Sequence, residues 1–202
     1  SLLSSDAVPT KTAADRNVRP TPLKEQQLPM SRSIGNTIAD SLQLGLGYGE
    51  RLLKDITAEQ FARLARPGGE VIQSNHAAFV YGHLSLYAPR ILSELKCDAP
   101  TVPDAFQECF SMKAECVDDA DGTIYPSMDE VTSLFFDGYR AALKAFQVAD
   151  DEVFQQPNPL GGGMAEKFPT MGSMHHFYVG GHMMIHMGQL SAWRRMLGLG
   201  PA

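Results

Sequence analysis

The sequence is poor in cysteine, and this scarcity excludes two kinds of structure. Its three cysteines, at positions 97, 109 and 116, are an odd number at wide spacing. Such a set does not provide the disulfide framework of a small secreted domain, so we expect reduced thiols and a cytoplasmic location. No pair has the CxxC or CxxH spacing of a structural zinc knuckle. The cysteines are therefore predicted to be structural or incidental.

Long apolar runs and basic clusters are also missing. No stretch is apolar over the roughly 20 residues that a helix needs to cross a bilayer, so no membrane span is predicted. The formal net charge is −6, the isoelectric point is near 5.5, and no basic stripe occurs. Because nucleic-acid phosphates are bound by clustered lysines and arginines, this composition argues against a nucleic-acid partner.

The chain has the length of one domain with a tail. Its 202 residues are 44% hydrophobic and 20% charged, as is usual for a globular domain with a buried core. Residues 1–30 contain proline, lysine, aspartate and glutamine without the apolar segment of a signal peptide. They predict a flexible N-terminal extension, and residues 31–202 are expected to form the folded domain.

Helical periodicity is what the sequence does contain. Nothing alternates with period two over a useful length, whereas apolar residues recur at helical spacing in four long blocks. The blocks cover approximately residues 33–54, 74–95, 125–146 and 173–197. Pro89 is expected to kink the second, while Ser127 and Glu130 have capping-box spacing at the start of the third. Four long helices with one or two long connections predict an all-α fold, a four-helix bundle.

Shorter segments connect these blocks. Thr57 and Gln60 have the spacing of another capping box, which predicts a short helix that ends at Pro67. A further short helix is expected around residues 105–114. A long loop is predicted over residues 155–170, and loops of this length often act as lids or binding loops.

Two of the six histidines, His182 and His186, lie four residues apart in the last predicted helix. That spacing places them one turn apart on one face, so both imidazoles can bind a single ion. A third ligand must come from another element, and His83, among apolar neighbours in the second long block, is the best candidate. Core histidines bonded to backbone carbonyls would produce the same pattern, so both interpretations stay open here.

The residues around these histidines are similar to a known family. HMMIHMGQL, residues 182–190, resembles the C-terminal H-x-x-x-H-x-G-Q motif of the DinB/YfiT-like superfamily, and WRRMLGL, residues 193–199, resembles its usual ending. NHAAFVYGHL, residues 75–84, is similar to its second-helix GHL segment. YPS, residues 125–127, followed by an acidic turn, is similar to the start of its third helix. These matches occur in order across most of residues 31–199.

The resemblance implies a four-helix bundle with up-down-down-up topology and a divalent-metal site. Its ligands would be His83, His182 and His186, while the other three histidines match no ligand position and are expected in cap regions or on the surface. Met187 departs from the family, in which a basic or polar residue is more usual there. The superfamily includes thiol-dependent S-transferases and isomerases that use low-molecular-weight thiols.

Three neutral histidines leave open positions on an ion for water or substrate, as catalytic sites do. Nitrogen ligands suit Zn, Ni, Fe or Co, and such an ion could activate water for hydrolysis or hold a substrate thiolate. Gln189, close to His186, is a candidate for orienting a ligand or bound water, or it makes only a helix-face hydrogen bond. Asp137 and Glu50 are candidate carboxylates for supporting the ligands.

Three hypotheses follow from these residues. The first is a metal-dependent enzyme that acts on a small molecule, by thiol S-transfer or hydrolysis. The second is a non-catalytic bundle that binds a metal or ligand. The third is a structural bundle whose histidines make only core hydrogen bonds, and whose helix faces bearing Gly and Ala support a homodimer.

Overall fold

The computed structural model describes residues 32–202, and this part of the chain is helical. Within that range the chain forms no β-strand. Pro157 and Thr170 form an isolated antiparallel bridge. The predicted all-α class is therefore confirmed. The predicted flexible extension, residues 1–30, lies outside the described residues.

The helices fall into long elements and short connecting ones. In chain order they are α1 (Ile34–Leu53), α2 (Ala58–Phe61), α3 (Ala77–Ser85), α4 (Tyr87–Glu94), α5 (Asp104–Phe110), α6 (Met128–Val148), α7 (Asp151–Phe154), α8 (Gly162–Lys167), α9 (Met171–His176) and α10 (Met183–Met196). A 3₁₀ turn spans Pro67–Gly69, and a π-helical segment, Phe177–His182, joins α9 to α10. The last long block is thus one continuous run that changes its helical period in the middle.

Local signals account for both ends of α1. The Ser33 hydroxyl accepts a hydrogen bond from the Asn36 amide at 3.1 Å and caps the first turn. At the other end, the buried guanidinium of Arg194 donates to the carbonyl oxygens of Leu52 and Lys54, which have no partner inside the helix. The predicted bounds, residues 33–54, agree with the observed helix and its two caps.

The second long block is interrupted, in agreement with the kink expected from Pro89. It is two helices, α3 and α4, that meet at Leu86, and its cap is His76. Nδ1 of His76 accepts from the Phe79 amide at 3.2 Å, while Nε2 lies 2.9 Å from the Val117 carbonyl. Pro89 lies in the first turn of α4, where the amide hydrogen that proline lacks would have no helical partner.

The capping box of α6 forms as the sequence predicts. Glu130 accepts from the Ser127 amide at 3.0 Å, and the Ser127 hydroxyl accepts from the Glu130 amide at 3.3 Å. The helix runs for 21 residues and buries a stripe at helical spacing. Its fully buried large residues include Val131, Phe135, Tyr139 and Phe146.

Residues 155–170 are less irregular than predicted, because they contain α8. Asn158 organises this connection, since its side-chain amide donates to the Phe168 carbonyl at 2.8 Å and its Oδ1 accepts from the Leu160 amide at 3.0 Å. The segment is thus a folded crossover with a helical turn, and the prediction of a loop without a helix was wrong.

The long helices pack around a shared aromatic core. α1 contacts α6 and α10, and α3 contacts the same two helices. Tyr81 of α3 donates to the Gly49 carbonyl of α1 at 2.6 Å, and Tyr139 of α6 donates to the Leu84 carbonyl of α3 at 3.0 Å. This packing places the middle of α3 beside the first half of α10.

Trp193 fixes the C-terminal part of α10. Its side chain is fully buried, and its indole nitrogen donates to the Arg63 carbonyl at 2.8 Å. Among residues 32–202, no helix is both long and apolar enough to cross a membrane.

Candidate metal centre

His182 and His186 lie at the junction between the π-helical segment and α10. His182 ends that segment, and His186 follows one turn later. Their Nε2 atoms are 3.2 Å apart, and both side chains are half-buried. The i, i+4 spacing therefore directs the two imidazoles toward one point, as the sequence predicts.

His83 approaches the same point from α3. Its ring centroid is 4.8 Å from that of His186 and 5.4 Å from that of His182. One ligand nitrogen from each of the three residues can be chosen so that all three lie within 4.8 Å of one another. The three histidines are thus close enough together to hold a metal ion.

Hydrogen bonds leave Nε2 free on two of these rings. Nδ1 of His83 donates to the Phe110 carbonyl at 2.8 Å, and Nδ1 of His186 donates to Oε1 of Gln189 at 2.9 Å. Because a neutral imidazole carries one proton, Nε2 of each ring then has its lone pair available for a ligand. This is the arrangement that orients histidine ligands in metal sites.

Gln189, the predicted candidate for orienting a ligand, is itself held in place. Its Oε1 also accepts from the side-chain amide of Asn75 at 3.1 Å. Asn75 precedes α3, so this bond links the entrance of α3 to α10 beside the histidines. Gln189 is therefore hydrogen-bonded to both Asn75 and His186.

His182 has no such partner. Its Nδ1 is buried and makes no hydrogen bond to any described residue. Its Nε2 faces Nε2 of His186, and two lone pairs at that distance repel unless a proton or a cation lies between them. A metal ion bound by Nε2 of both rings would remove this repulsion.

The three imidazoles are neutral at physiological pH. Burial lowers the pKa of His83 and His186 below the usual value. Burial, together with the two neighbouring imidazoles, lowers the pKa of His182 to about 3. The neutral form is the one that binds a metal, because a protonated ring has no free lone pair.

The donor set suits a borderline divalent ion. Zn–N bonds of 2.0–2.1 Å in a tetrahedral site separate neighbouring nitrogens by about 3.3 Å. The observed 3.2 Å between Nε2 of His182 and Nε2 of His186 is close to that value. With only nitrogen donors, the site matches Zn, Ni, Co or Fe rather than Mg or Ca, which prefer oxygen.

Close packing against Gly82 fixes the position of His83. A Cβ atom on Gly82 would lie 2.5 Å from the ring of Phe110, so only glycine allows this contact. Phe110 is fully buried, and its carbonyl is the acceptor for His83 Nδ1. The GHL segment therefore matters for its glycine as well as for its histidine.

A cavity of about 490 Å³ adjoins the three histidines. Its other lining residues are mostly apolar or aromatic: Phe79, Tyr87, Arg90, Ser111, Met112, Ala114, Leu160, Met164, Phe177 and Tyr178. Leu160 and Met164 come from the 155–170 connection, so part of that predicted binding segment does line the cavity. A small ligand could occupy this space beside the histidines.

Sequence reasoning assigned no functional role to Tyr87, Arg90 and Tyr178, which are among the polar residues that line this cavity. Tyr87 and Arg90 follow His83 by four and seven residues, and Tyr178 precedes His182 by four. Helical spacing from the predicted ligands was the signal that could have identified them. The hydroxyl of Tyr87 lies 3.5 Å from Nε2 of His83.

The remaining histidines serve other parts of the fold. His76 caps α3 as a cap-region residue, and His176 is exposed beside the Ser41 hydroxyl at 3.2 Å. His175 is fully buried, with Nε2 2.7 Å from a carboxylate oxygen of Glu94. The expectation of a cap or surface position was therefore wrong for His175, because its partner Glu94 is 81 residues away in the sequence.

The candidate carboxylates Glu50 and Asp137 are engaged by another residue. Arg140 contacts Glu50 at 2.9 Å and Asp137 at 3.5 Å. Cys109 and Cys116 are also unsuited to reaction, because burial raises the pKa of both thiols, that of Cys116 to about 11. Within the described residues, the candidate chemistry thus concentrates at the histidines.

Comparison with known proteins does not identify a family. No protein-family model matches the chain, and no curated protein is significantly similar to it. The resemblance to the DinB/YfiT-like superfamily stays a prediction from the motif residues. The support for a metal site comes from the positions of His83, His182 and His186.

Proposed function

We propose that this protein binds a divalent metal ion through His83, His182 and His186 and is a metal-dependent enzyme that acts on a small molecule. The observation that carries the proposal is the convergence of three neutral imidazoles beside a cavity of about 490 Å³. Two of the rings have Nδ1 bonded to an oxygen acceptor, so their Nε2 lone pairs are free.

The proposed fold is the DinB-like four-helix bundle with up-down-down-up topology. Its support is the packing of α1 and α3 against both α6 and α10, together with the order of the family-like motifs. In this arrangement the GHL segment of α3 and the H-x-x-x-H segment of α10 would supply the three ligands, as the resemblance implies.

An enzyme accounts for the open side of the site better than a structural metal does. Structural sites are closed by four protein ligands, whereas only three histidines converge here among the described residues. When bound, a divalent ion would supply Lewis acidity, which can activate water for hydrolysis or stabilise a substrate thiolate for S-transfer.

The surrounding side chains would prepare the substrate. Phe110 and Gln189 hold two imidazoles in fixed orientations. The Tyr87 hydroxyl, 3.5 Å from Nε2 of His83, is placed to hydrogen-bond a group bound at the histidines. The apolar walls of Phe79 and Phe177 exclude water from the reacting group.

Elemental analysis of the purified protein tests the metal site. We expect about one metal ion per chain in the wild type and loss of that ion in His83→Ala and in His186→Ala. His176→Ala is the matched control, because His176 is exposed and bonds only to Ser41 among the described residues. No metal in the wild type after incubation with Zn and Ni would overturn the site.

Turnover separates the enzyme from a metal-binding bundle without activity. Metal-loaded and chelator-treated protein would be compared for transfer of a low-molecular-weight thiol to an electrophile and for hydrolysis of small esters and amides. Activity that disappears with the chelator and returns with the ion supports the enzyme. Stoichiometric metal without any turnover supports the non-catalytic alternative.

A further inference from the structure

The cavity beside the histidines has an unusual charge composition. Of the described residues that line it, Arg90 is the only one with a permanent charge, and none is a carboxylate. Arg90 therefore gives the metal-free cavity a positive charge, although the whole chain has a formal net charge of −6. A positive cavity in an acidic protein concentrates small anions at that one place.

The guanidinium of Arg90 makes no direct contact with a carboxylate of the described part of the protein, and Glu94 acts on it only through its charge. Its Nη1 donates to the hydroxyl of Tyr178 at 3.3 Å, and it forms no ion pair with a carboxylate of residues 32–202. Glu94 lies four residues later on α4, the usual spacing for a helical ion pair with Arg90. That carboxylate instead contacts His175 at 2.7 Å, which leaves most of the Arg90 donors free.

Two tyrosines continue the polar wall from Arg90 to the histidines. Tyr87 lies between His83 and Arg90 on the α3–α4 run, and its ring centroid is 5.0 Å from that of Tyr178. Arg90 follows His83 by seven residues, across the junction of α3 and α4 at Leu86. The cavity is therefore polar on the side of these residues, and its remaining lining includes the apolar residues Met112, Leu160, Met164 and Phe177.

We infer that Arg90 is the binding site for a carboxylate, and that the ligand of the cavity is a small molecule with one carboxylate, an apolar body and a group that reaches the histidines. This inference rests on the proposed function, because it names the substrate class of the same site. A guanidinium matches a carboxylate in shape and binds it through two parallel hydrogen bonds. In the metal-free cavity, Arg90 is the only permanent positive charge among the described lining residues, so it matches the one negative charge of a carboxylate better than the two of a phosphate monoester.

Binding of 3-phenylpropionate and of its neutral analogue 3-phenylpropanamide tests the inference. Calorimetric titrations would use the full chain, both chelator-treated and loaded with Zn²⁺. We expect the acid to bind at least tenfold more tightly than the amide, because only the acid forms charge-assisted hydrogen bonds with Arg90. Equal affinities, or no measurable binding of the acid to either form, would overturn it.

Variants test whether the preference for the acid over the amide depends on Arg90. Arg90→Gln is expected to weaken binding of the acid at least tenfold and leave the amide unchanged, whereas Arg90→Lys keeps part of the preference. Arg51→Gln is the matched control, because Arg51 is also exposed and its side chain bonds only to a backbone carbonyl. Tyr178→Phe removes the one hydrogen bond of Arg90 and is expected to keep the preference for the acid.

Metal content distinguishes the proposal of a metal site from the proposal of a carboxylate site at Arg90. Arg90→Gln is expected to bind as much Zn²⁺ as the wild type, since Arg90 is not one of the three converging residues. A preference for the acid that persists in Arg90→Gln would overturn the carboxylate site even if the metal is present. Failure of the metal site would show as absent Zn²⁺ in the wild type, with the Arg90-dependent preference still measurable in chelator-treated protein.

Discussion

Single hydrogen bonds decide which nitrogen of His83 and of His186 is available to bind a metal ion. Phe110 and Gln189 accept the Nδ1 protons of His83 and His186, so the tautomers are set before any ligand arrives. One acceptor is a backbone carbonyl and cannot be removed by substitution, whereas the other is a side chain. The second bond is therefore the one that mutation can test.

Gln189→Leu is expected to lower the affinity for Zn²⁺ by roughly 10–100-fold, because His186 loses the acceptor that orients its ring. Competition with a chromophoric chelator measures the change. Gln43→Leu is the control, since Gln43 is an exposed glutamine on α1 away from the histidines. An affinity equal to that of the wild type would mean that Gln189 makes only a helix-face hydrogen bond.

The metal-free protein is expected to lose stability as the pH falls, in part through His182. Its pKa is about 3 in the folded state, below the ordinary value of 6.5. Between these values the unfolded chain binds a proton that the folded chain does not, so acidification favours unfolding. The contribution of the neutral ring is present above pH 6.5 and is lost as the pH falls toward 3.

Urea unfolding of chelator-treated protein at several pH values measures this effect. His182→Asn should lose less free energy of unfolding between pH 7 and pH 4 than the wild type does, because it lacks the group that takes up the proton. Parallel pH curves for the two proteins would show that His182 titrates normally in the folded state.

At the scale of helices, two glycines of the family-like motifs have opposite surroundings. A Cβ atom on Gly82 would lie 2.5 Å from the ring of Phe110, while a Cβ atom on Gly188 would meet nothing within 4 Å. Both positions are inside helices, where alanine is intrinsically preferred over glycine. The packing of α3 against α5, and not helix propensity, therefore decides the outcome at Gly82.

Gly82→Ala is expected to destabilise the protein by about 1–3 kcal/mol, since Phe110 must move away from α3. The Phe110 carbonyl, which accepts from Nδ1 of His83, would move as well, so the affinity for Zn²⁺ should fall together with the stability. Gly188→Ala is expected to stabilise the protein by about 0.5–1 kcal/mol and leave Zn²⁺ binding unchanged. Thermal unfolding and metal titration of both variants check this contrast. Equal changes in stability and in Zn²⁺ affinity for the two variants would contradict it.

The sequence predicts those helices whose ends depend on nearby residues. The caps of α1 and α6 use side chains within three residues of the helix start. The cap of α6 was predicted from its capping-box spacing, and the predicted start of the first block coincides with the cap Ser33. A cap or surface position was expected for His76, but its bond to the carbonyl of Val117, 41 residues later, does not follow from local spacing. The break at Leu86 follows from a local signal, because Pro89 lacks the amide hydrogen that would bond to the Ser85 carbonyl in a continuous helix. The π-helical segment has no such signal in the periodicity.

The same distinction holds for the candidate site. The spacing of His182 and His186 is local, so their shared face follows from helical geometry. His83 was selected from its apolar neighbours and from the family resemblance. The contact between Arg90 and Tyr178 spans 88 residues and depends on how α4 lies against the π-helical segment, which no motif encodes.

For the whole molecule, the histidines link distant parts of the chain. His83 comes from α3, whereas His182 and His186 lie close to the C-terminus. The unfolded chain does not hold these residues together, so an ion that binds all three binds the folded state preferentially. Metal binding should therefore stabilise the fold.

At a free Zn²⁺ concentration 100 times the dissociation constant, the expected stabilisation is about 2.7 kcal/mol. For a domain of this size that corresponds to a rise in Tm of roughly 5–10 °C. Differential scanning calorimetry of chelator-treated and Zn²⁺-loaded protein measures it. The variant with all three histidines replaced by Ala should show no such rise, and a rise of equal size there would place the ion elsewhere.

Trp193 gives the molecule an optical readout of ion binding at the three histidines. It is the only tryptophan in the sequence, it is fully buried, and it lies on α10 seven residues beyond His186, roughly 10 Å along the helix. Paramagnetic ions such as Co²⁺ or Cu²⁺ quench indole fluorescence at that range, whereas Zn²⁺ does not. Binding, exchange and release of the ion can thus be followed by intrinsic fluorescence, without attaching a dye to the protein.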